Sequence, residues 1–168
     1  MKYSNTSKFQ SKVWKDDCYL KGQEFEKYIQ DLFNREYFKI KRWRKSKAIP
    51  KDTFISDISL PDLELIYIGK KQYLFAVECK WRRSFYYNKI EWASPEQIEK
   101  YLEFEMKRAM PVFIVIGVGG LPSNPEKLFV TPLCNLANYP IVKEDQLIQH
   151  KRKPTRRFFY NTVQLKLF

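Results

Sequence analysis

The distribution of apolar and polar residues along the chain predicts two amphipathic helices. Residues 22–34 carry apolar side chains at the i, i+3, i+4, i+7 spacing of a helical core face. A second helix is predicted over residues 94–109, because Ser94 can serve as N-cap, with Pro95 at the first helical position and Gln97 completing a capping box. The core stripe expected for this second helix is Ile98, Leu102, Met106 and Ala109.

A β-hairpin is predicted between the two helices. Residues 63–68 and 73–77 are apolar strands on either side of a turn at residues 69–71. Pairing across this turn places Asp62 opposite Glu78, and directly opposed Cβ atoms in such a pair lie about 4.5–5.5 Å apart. The hairpin therefore brings two carboxylates together at its open end.

A lysine completes this acidic end of the hairpin. Lys80 lies two residues after Glu78 and therefore shares its face of the strand. Two like charges as close as Asp62 and Glu78 raise one pKa strongly unless a cation lies between them. Mg²⁺ relieves such repulsion with one or two protein carboxylates, water and phosphate oxygens as ligands. The arrangement predicts phosphodiester hydrolysis that depends on Mg²⁺, with Mn²⁺ as a substitute, and with Lys80 placed to orient water or stabilise developing charge.

The composition favours a nucleic-acid partner. The 168 residues carry a net charge of +12, and a small protein this basic needs an anionic partner such as nucleic acid or a membrane surface. No apolar run is long enough to span a bilayer and the N-terminus lacks a secretory signal, so no membrane partner is expected. Three scattered cysteines without C-x-x-C spacing indicate a reducing, cytoplasmic location. The single histidine argues against histidine-based hydrolase chemistry.

Further strands complete the predicted fold. Residues 36–47 predict a strand leading into a basic loop, residues 111–118 a strand buried on both faces, and residues 128–133 one more strand. The order helix, strand, hairpin, helix, strand, strand predicts an α/β fold, a single domain with a central mixed β-sheet flanked by helices. Residues 20–168 are expected to form this domain, with a basic arm before it at residues 1–19 and a basic C-terminal tail.

Basic and aromatic residues are interleaved in two stretches, at residues 41–47 and 81–87. Such stretches suit phosphate contacts combined with stacking on bases. The alternatives are a solvated edge strand for the first stretch and aromatic packing under a loop for the second. The basic side chains expected to hold nucleic acid are Arg42, Arg44, Lys45, Arg82, Arg83, Lys151, Arg152, Arg156 and Arg157.

The acidic pair and the lysine stand in the pattern P-D, then E-C-K, at the end of an apolar run. This pattern resembles the signature of the PD-(D/E)xK nuclease superfamily, whose restriction-endonuclease-like fold is shared by Holliday-junction resolvases and RecB-type nuclease domains. The resemblance implies a metal-dependent DNA endonuclease in which Asp62 and Glu78 bind the metal and Lys80 is the catalytic lysine. The backbone carbonyl of Cys79 is a further ligand that the resemblance suggests.

The same resemblance implies supporting site residues. Glu26 follows Gly22 in the first helix, much as an acidic residue does in the resolvases, and is expected as a catalytic and metal-binding residue. Glu24 is the fallback, and both glutamates could instead be solvated. Gln97 and Tyr101 resemble a Q-x-x-x-Y motif of RecB-type nucleases and would support catalysis, unless Gln97 is only a capping residue.

The C-terminal residues allow two interpretations. The alternation of Val163, Leu165 and Leu167 with polar residues predicts a terminal strand. The segment also resembles the QLxLF peptide through which bacterial DNA-processing enzymes dock on the sliding clamp. The residues of that peptide would be Gln164, Leu165, Leu167 and Phe168.

Two functions stay open at this point. The first is a metal-dependent DNA endonuclease in repair, recombination, restriction or mobile-element processing, acting on DNA that could be branched or single-stranded. A homodimer is an option, because resolvases and many restriction enzymes of this fold pair up to cut two strands. The second function is a non-catalytic nucleic-acid-binding or assembly module on the same fold. The sequence does not decide between DNA and RNA.

Overall fold

The computed structural model describes residues 5–43 and 60–168, with the side chains of the first helix described from Asp17 onward. In chain order, the helices and strands are α1 (Asn5–Leu32), β1 (Phe38–Trp43), β2 (Leu63–Ile68), β3 (Gln72–Arg82), β4 (Lys89–Glu91), α2 (Pro95–Arg108), β5 (Val112–Val118), β6 (Lys127–Pro132), β7 (Ile141–Lys143), α3 (Glu144–Leu147), β8 (Lys151–Arg152), β9 (Tyr160–Asn161) and β10 (Lys166–Leu167).

The central sheet contains, among the described residues, six strands in the order β1, β2, β3, β5, β6, β8. Strands β3 and β5 are parallel, with α2 between them in the chain, and the other neighbouring pairs are antiparallel. Helix α1 packs on one face of the sheet and α2 on the other, and each covers its own cluster of buried apolar side chains. The prediction of a mixed sheet flanked by helices is confirmed.

The hairpin forms in the predicted register. Leu63 pairs with Val77 and Ile68 with Gln72, which leaves residues 69–71 as the turn. The return strand continues past its predicted end at Val77, because β5 pairs with it in parallel as far as Arg82. Strand β3 therefore carries the E-C-K residues on regular extended backbone.

Helix α1 is much longer than the helix predicted over residues 22–34. It begins at Asn5, so residues 5–19, which were expected to form an arm, are helical here. Those residues contain neither glycine nor proline, and a polar sequence of this kind is compatible with a helix. The predicted core face is confirmed, since Phe25, Ile29 and Phe33 are buried against the sheet. No helix in the described part of the chain is long and apolar enough to cross a membrane.

A glycine lets α1 approach the sheet closely. A Cβ atom on Gly117 in β5 would lie 2.5 Å from the ring of Phe25, which is too close for any larger residue without a shift of that ring. Because Phe25 is fixed in this contact, the next residue of the helix, Glu26, is held over the sheet as well. The close approach thus positions one of the predicted site residues.

Helix α2 is capped as predicted but buries a different face. The Ser94 side chain accepts a hydrogen bond from the Gln97 backbone and completes the capping box. The predicted core stripe is wrong at its centre: Leu102 is 38% and Met106 76% exposed. Ala109 is exposed and ends the helix in a left-handed conformation. The residues buried instead are Ile98, Tyr101 and Phe104.

The C-terminal segment folds back onto the domain. Strand β10 pairs with β9, and Leu167 is buried in the core on the α1 side. Phe158 and Tyr160 join the same core, and Tyr160 stacks on Phe75 at 5.0 Å between ring centroids. The terminal-strand interpretation is wrong for residues 162–165, which form a turn that leaves Val163 and Leu165 exposed, and it holds only at Lys166 and Leu167. The fold nevertheless places one leucine of the QLxLF pattern in the interior.

We predict that Leu167→Ala destabilises the protein by about 2 kcal/mol, because it removes a buried side chain at a site that cannot fully collapse. The melting temperature should fall by about 4–8 °C in calorimetry. Leu165→Ala is the matched control, since Leu165 is 51% exposed and its loss should change little. Equal melting temperatures for the two variants would contradict this account of the C-terminus.

Candidate active site

The sheet opens where β2 begins. Strand β2 pairs with β3 only as far as Val77, whereas β3 runs on to Arg82. Asp62 is the residue just before β2, and its side chain takes the place of the next strand-pairing hydrogen bond. The backbone N–H of Cys79 donates to Asp62 Oδ2 at 2.8 Å. The predicted pairing thus places the Asp62 carboxylate against the strand that carries Glu78.

Glu78, Lys80 and Tyr101 form one hydrogen-bonded cluster on the α2 side of the sheet. Lys80 Nζ lies 2.6 Å from Glu78 Oε1, and the Tyr101 hydroxyl donates to the same oxygen at 2.7 Å. Lys80 Nζ is also 3.4 Å from the Tyr101 hydroxyl oxygen. Glu78 is 3% exposed, so this carboxylate is buried with two donors on one oxygen.

Glu26 joins the cluster from α1. It is 7% exposed, and its charge acts on both Asp62 and Glu78. Trp43 at the end of β1 lies beside it, because a bulge between Ile40 and Arg42 shifts the alternation of that strand and lets Trp43 pack toward the α1 core. The first helix and the hairpin therefore supply acidic groups to one place, as the sequence predicted.

The carboxyl groups are held in a poor environment for negative charge. Burial, reinforced by the charge of Glu78, raises the pKa of Glu26 to about 7, against a hydrogen bond from Trp43 and the charge of Lys80. Burial and the charges of Glu78 and Glu26 raise the pKa of Asp62 well above its usual range. The charge of Glu78 thus makes ionisation of Glu26 and Asp62 more costly.

Lys80 and Tyr101 keep their protons. Burial opposes the charge of Lys80, but Glu78 and Asp62 outweigh burial and raise its pKa. Burial and the neighbouring Glu78 raise the pKa of the Tyr101 hydroxyl. At neutral pH, Lys80 is therefore a cation and Tyr101 a hydrogen-bond donor, and neither is available as a base.

The cluster has unused oxygen atoms. Glu26 Oε2 and Glu78 Oε2 are buried and have no hydrogen-bond donor among the described residues. Within residues 5–43 and 60–168, no three His, Cys, Asp or Glu side chains are arranged as a ready metal site. Buried carboxylate oxygens without donors are nevertheless the ligands that a hard divalent cation takes, so the residues present fit such an ion.

Two of the residues considered for the site have other roles. The side-chain oxygen of Gln97 accepts from the backbone N–H of Ser94 at 3.1 Å, so this glutamine caps α2. Glu24 is exposed and accepts from Ser123 Oγ at 2.6 Å. Glu26, and not its fallback Glu24, therefore faces the acidic cluster.

Arg82 is built into the structure beside the site. Its guanidinium donates to the backbone carbonyls of Trp81 at 3.0 Å, Glu91 at 2.7 Å and Trp92 at 3.0 Å. These bonds tie the end of β3 to the segment that leads into α2. The Arg82 guanidinium was predicted to bind nucleic acid, but it donates its hydrogen bonds to backbone carbonyls of the protein.

Two more of the predicted basic residues contact the protein. Arg42 lies 3.7 Å from the buried Glu64, and Arg108 approaches the same carboxylate at 3.7 Å. Arg152 stacks over Phe158 at 4.0 Å and donates to the Arg157 carbonyl at 3.0 Å. Arg83, Lys151, Arg156 and Arg157 are exposed, whereas Arg44 and Lys45 lie outside the described residues.

Trp43 is the site residue whose role the sequence did not reveal. It was grouped with the basic loop, but it borders a cleft of about 360 Å³ next to Glu26. The other residues lining this cleft are Leu20, Gln23, Glu24 and Lys27. The strand register places it there, because Trp43 pairs with Leu63, the residue after Asp62.

A solved structure resembles this arrangement of helices and strands. It is Hjc of Archaeoglobus fulgidus, a Holliday junction resolvase from an archaeal hyperthermophile, with a TM-score of 0.52 and 14% sequence identity over 78% of this chain and 93% of Hjc. The chain shares the fold of this structure, so the fold that the sequence pattern implied is confirmed. No protein-family model and no curated protein matches the sequence.

We predict that the melting temperature of Glu26→Gln, measured in EDTA, exceeds that of the wild type at pH 8 but much less so at pH 5. The pKa of Glu26 is about 7 in the folded protein and near 4.5 when unfolded, so the folded state binds more protons between these values. Wild-type stability therefore falls as the pH rises through this window. Glu24→Gln is the control. If the difference in melting temperature between Glu26→Gln and the wild type did not change with pH, the raised pKa of Glu26 would be refuted.

Proposed function

We propose that this protein is a metal-dependent endonuclease that hydrolyses phosphodiester bonds in DNA. The observation that supports the proposal most strongly is the charge imbalance of the cluster. Among the described residues, Lys80 is the cation that forms an ion pair within the group of three carboxyls from Glu26, Asp62 and Glu78. Two buried oxygens of this group have no donor in the same part of the chain. A divalent cation would resolve this imbalance.

Asp62 and Glu78 would hold the cation, with Glu26 and the Cys79 backbone carbonyl as further ligands. Mg²⁺ is the ion proposed, with Mn²⁺ as a substitute, because both take oxygen ligands. When bound, such an ion lowers the pKa of a water molecule and neutralises charge at the phosphate. The protein contributes the preformed arrangement of carboxylates that holds the ion at the open end of the hairpin.

Lys80 would stabilise charge and position water. Its raised pKa keeps it cationic, so it cannot accept the proton of the attacking water. An ammonium in a poorly solvated site stabilises negative charge that develops on the phosphate. Tyr101 donates to Glu78 and lies within 3.4 Å of Lys80, so its role is to position these two side chains.

DNA is the proposed substrate because of charge and fold. The net charge of +12 suits a polyanion, and exposed Arg83, Lys151, Arg156 and Arg157 are available for phosphate contacts. Hjc resolves Holliday junctions, so branched DNA is the first substrate class to test. A homodimer would allow two strands to be cut. Docking on a sliding clamp is not part of the proposal, since Leu167 is buried in the core.

We predict that wild-type protein cuts supercoiled, single-stranded or four-way-junction DNA in Mg²⁺ or Mn²⁺ and not in EDTA. Asp62→Ala and Lys80→Ala should each lower the rate at least about a hundredfold, because each removes charge stabilisation from the transition state. Lys70→Ala is the control, since Lys70 is an exposed lysine in the turn of the same hairpin. Gel assays with end-labelled substrates would measure the rates.

The same assay separates the two functions that the sequence left open. If every DNA stays intact with wild-type protein while binding remains tight and salt-sensitive, the endonuclease proposal fails and a non-catalytic binding module is favoured. Lys80→Ala with unchanged DNA affinity but no cleavage would instead assign catalysis to this residue. RNA run alongside DNA tests the choice of nucleic acid.

We also predict that Mn²⁺ raises the melting temperature of the wild type at pH 8, because an ion that binds only the folded state stabilises it. Asp62→Asn and Glu78→Gln should lose most of this increase, whereas Glu24→Gln should keep it. Differential scanning fluorimetry in a Mn²⁺ titration measures the effect without any cleavage. An equal increase in all four proteins would show that Mn²⁺ binds elsewhere.

A further inference from the structure

A tight turn projects from the segment between the end of β3 and β4. Tyr86 and Lys89 exchange two backbone hydrogen bonds, of 2.9 and 3.0 Å, around the central residues Tyr87 and Asn88. Both central residues have positive φ, 45° at Tyr87 and 60° at Asn88. A two-residue turn with this conformation is of the type I′ class, for which asparagine, aspartate and glycine are the usual residues.

Tyrosine is an unusual residue at position 87 of this turn. A bulky side chain rarely adopts positive φ, and an asparagine or glycine would fit without strain. Burial does not compensate, because Tyr87 is 83% and Tyr86 76% exposed. The two rings contact each other edge to face at 4.5 Å between centroids. An exposed aromatic pair on strained backbone is therefore not explained by the stability of the fold.

Hydrogen bonds tie the turn to neighbouring segments of the chain. At its base, the Arg82 guanidinium joins the carbonyls of Trp81 and Glu91. On its outer side, the backbone N–H of Glu144 donates to the Asn88 carbonyl at 3.1 Å. Before the turn, strand β3 ends at Arg82, which is two residues after Lys80. After the turn, the chain continues through β4 to Trp92. Trp92 stacks on Tyr101 at 6.3 Å between centroids. Both ends of this segment thus adjoin the proposed catalytic residues.

Three exposed basic side chains lie near the turn. Lys89 in β4 and Lys143 in β7 are paired directly opposite each other, and both are exposed. Like charges in this position destabilise a strand pair unless an anion lies nearby. Among the described residues, neither lysine forms a salt bridge, and neither does the exposed Arg83. These side chains are therefore free of ion pairs within the described residues and can contact phosphate groups.

We propose that Tyr86 and Tyr87 form a stacking platform for unpaired bases of single-stranded or branched DNA, with Lys89, Lys143 and Arg83 contacting the flanking phosphates. This inference rests on the proposed function and specifies its substrate class. Every base presents a flat face for stacking on an aromatic ring, so the platform selects unstacked bases without selecting sequence. Paired duplex cannot use it, because its bases are already stacked.

The test compares binding of a single-stranded oligonucleotide and of a duplex, by fluorescence anisotropy in EDTA, for wild type, Tyr87→Asn and Tyr87→Phe. Tyr87→Asn should weaken single-strand binding about tenfold and leave duplex binding unchanged, because it removes the ring but not the charges. Its melting temperature should equal or exceed that of the wild type, since asparagine suits the turn. Tyr87→Phe should bind both DNAs as the wild type does.

A second readout reports stacking itself. The fluorescence of 2-aminopurine in the single strand should be quenched by wild type and by Tyr87→Phe, and not by Tyr87→Asn. Wild-type single-strand affinity in Tyr87→Asn, or an equal loss on duplex, would overturn the platform. Because binding is measured in EDTA, this failure differs from a failure of the endonuclease proposal, which would show as intact DNA in Mg²⁺ while the binding differences persist.

Discussion

The structure depends on a cluster of buried carboxyl groups that the described residues do not fully compensate. Glu26 and Glu78 are almost fully buried, and their charges, together with burial, raise the pKa of Asp62. Lys80 and the Tyr101 hydroxyl both bind the same oxygen of Glu78, which leaves its other oxygen without a described donor. Burying charge without full compensation is costly. The fold retains this energetic cost, which is explained if a divalent cation completes the site.

The rest of the fold keeps this cluster in place. The hairpin register brings Asp62 to the strand that carries Glu78. Strand β2 begins only at Leu63, which leaves room beside β3 for Glu26 from the other face of the sheet. Phe25 packs on Gly117, where no side chain intervenes, and so fixes the helix that supplies Glu26. Sheet and helix thus determine the site before any ligand is bound.

Much of this site follows from local sequence. The turn and the two apolar runs fix the register between Leu63 and Val77, and hence the position of Asp62, because a one-residue slip would turn every apolar side chain outward. The buried face of α2 was harder to predict from the sequence. Its apolar residues fit both the i, i+3 and the i, i+4 spacing, and each spacing gives a different face. Tyr101 is buried because Glu78 accepts its hydroxyl proton in a hydrogen bond, and that partner is known only from the tertiary structure. The bulge that reorients Trp43 gives no signal in the sequence.

The central claim is that these carboxylates bind a divalent cation. The most direct measurement is anomalous X-ray diffraction from crystals soaked in Mn²⁺ at pH 8, which lies above the pKa of about 7 of Glu26. We expect an anomalous peak about 2.0–2.2 Å from oxygens of Asp62 and Glu78, since hard cations of this size bind oxygen at that distance. Crystals that take up Mn²⁺ only at other positions, with Lys80 still the only cation at Glu78, would contradict the account.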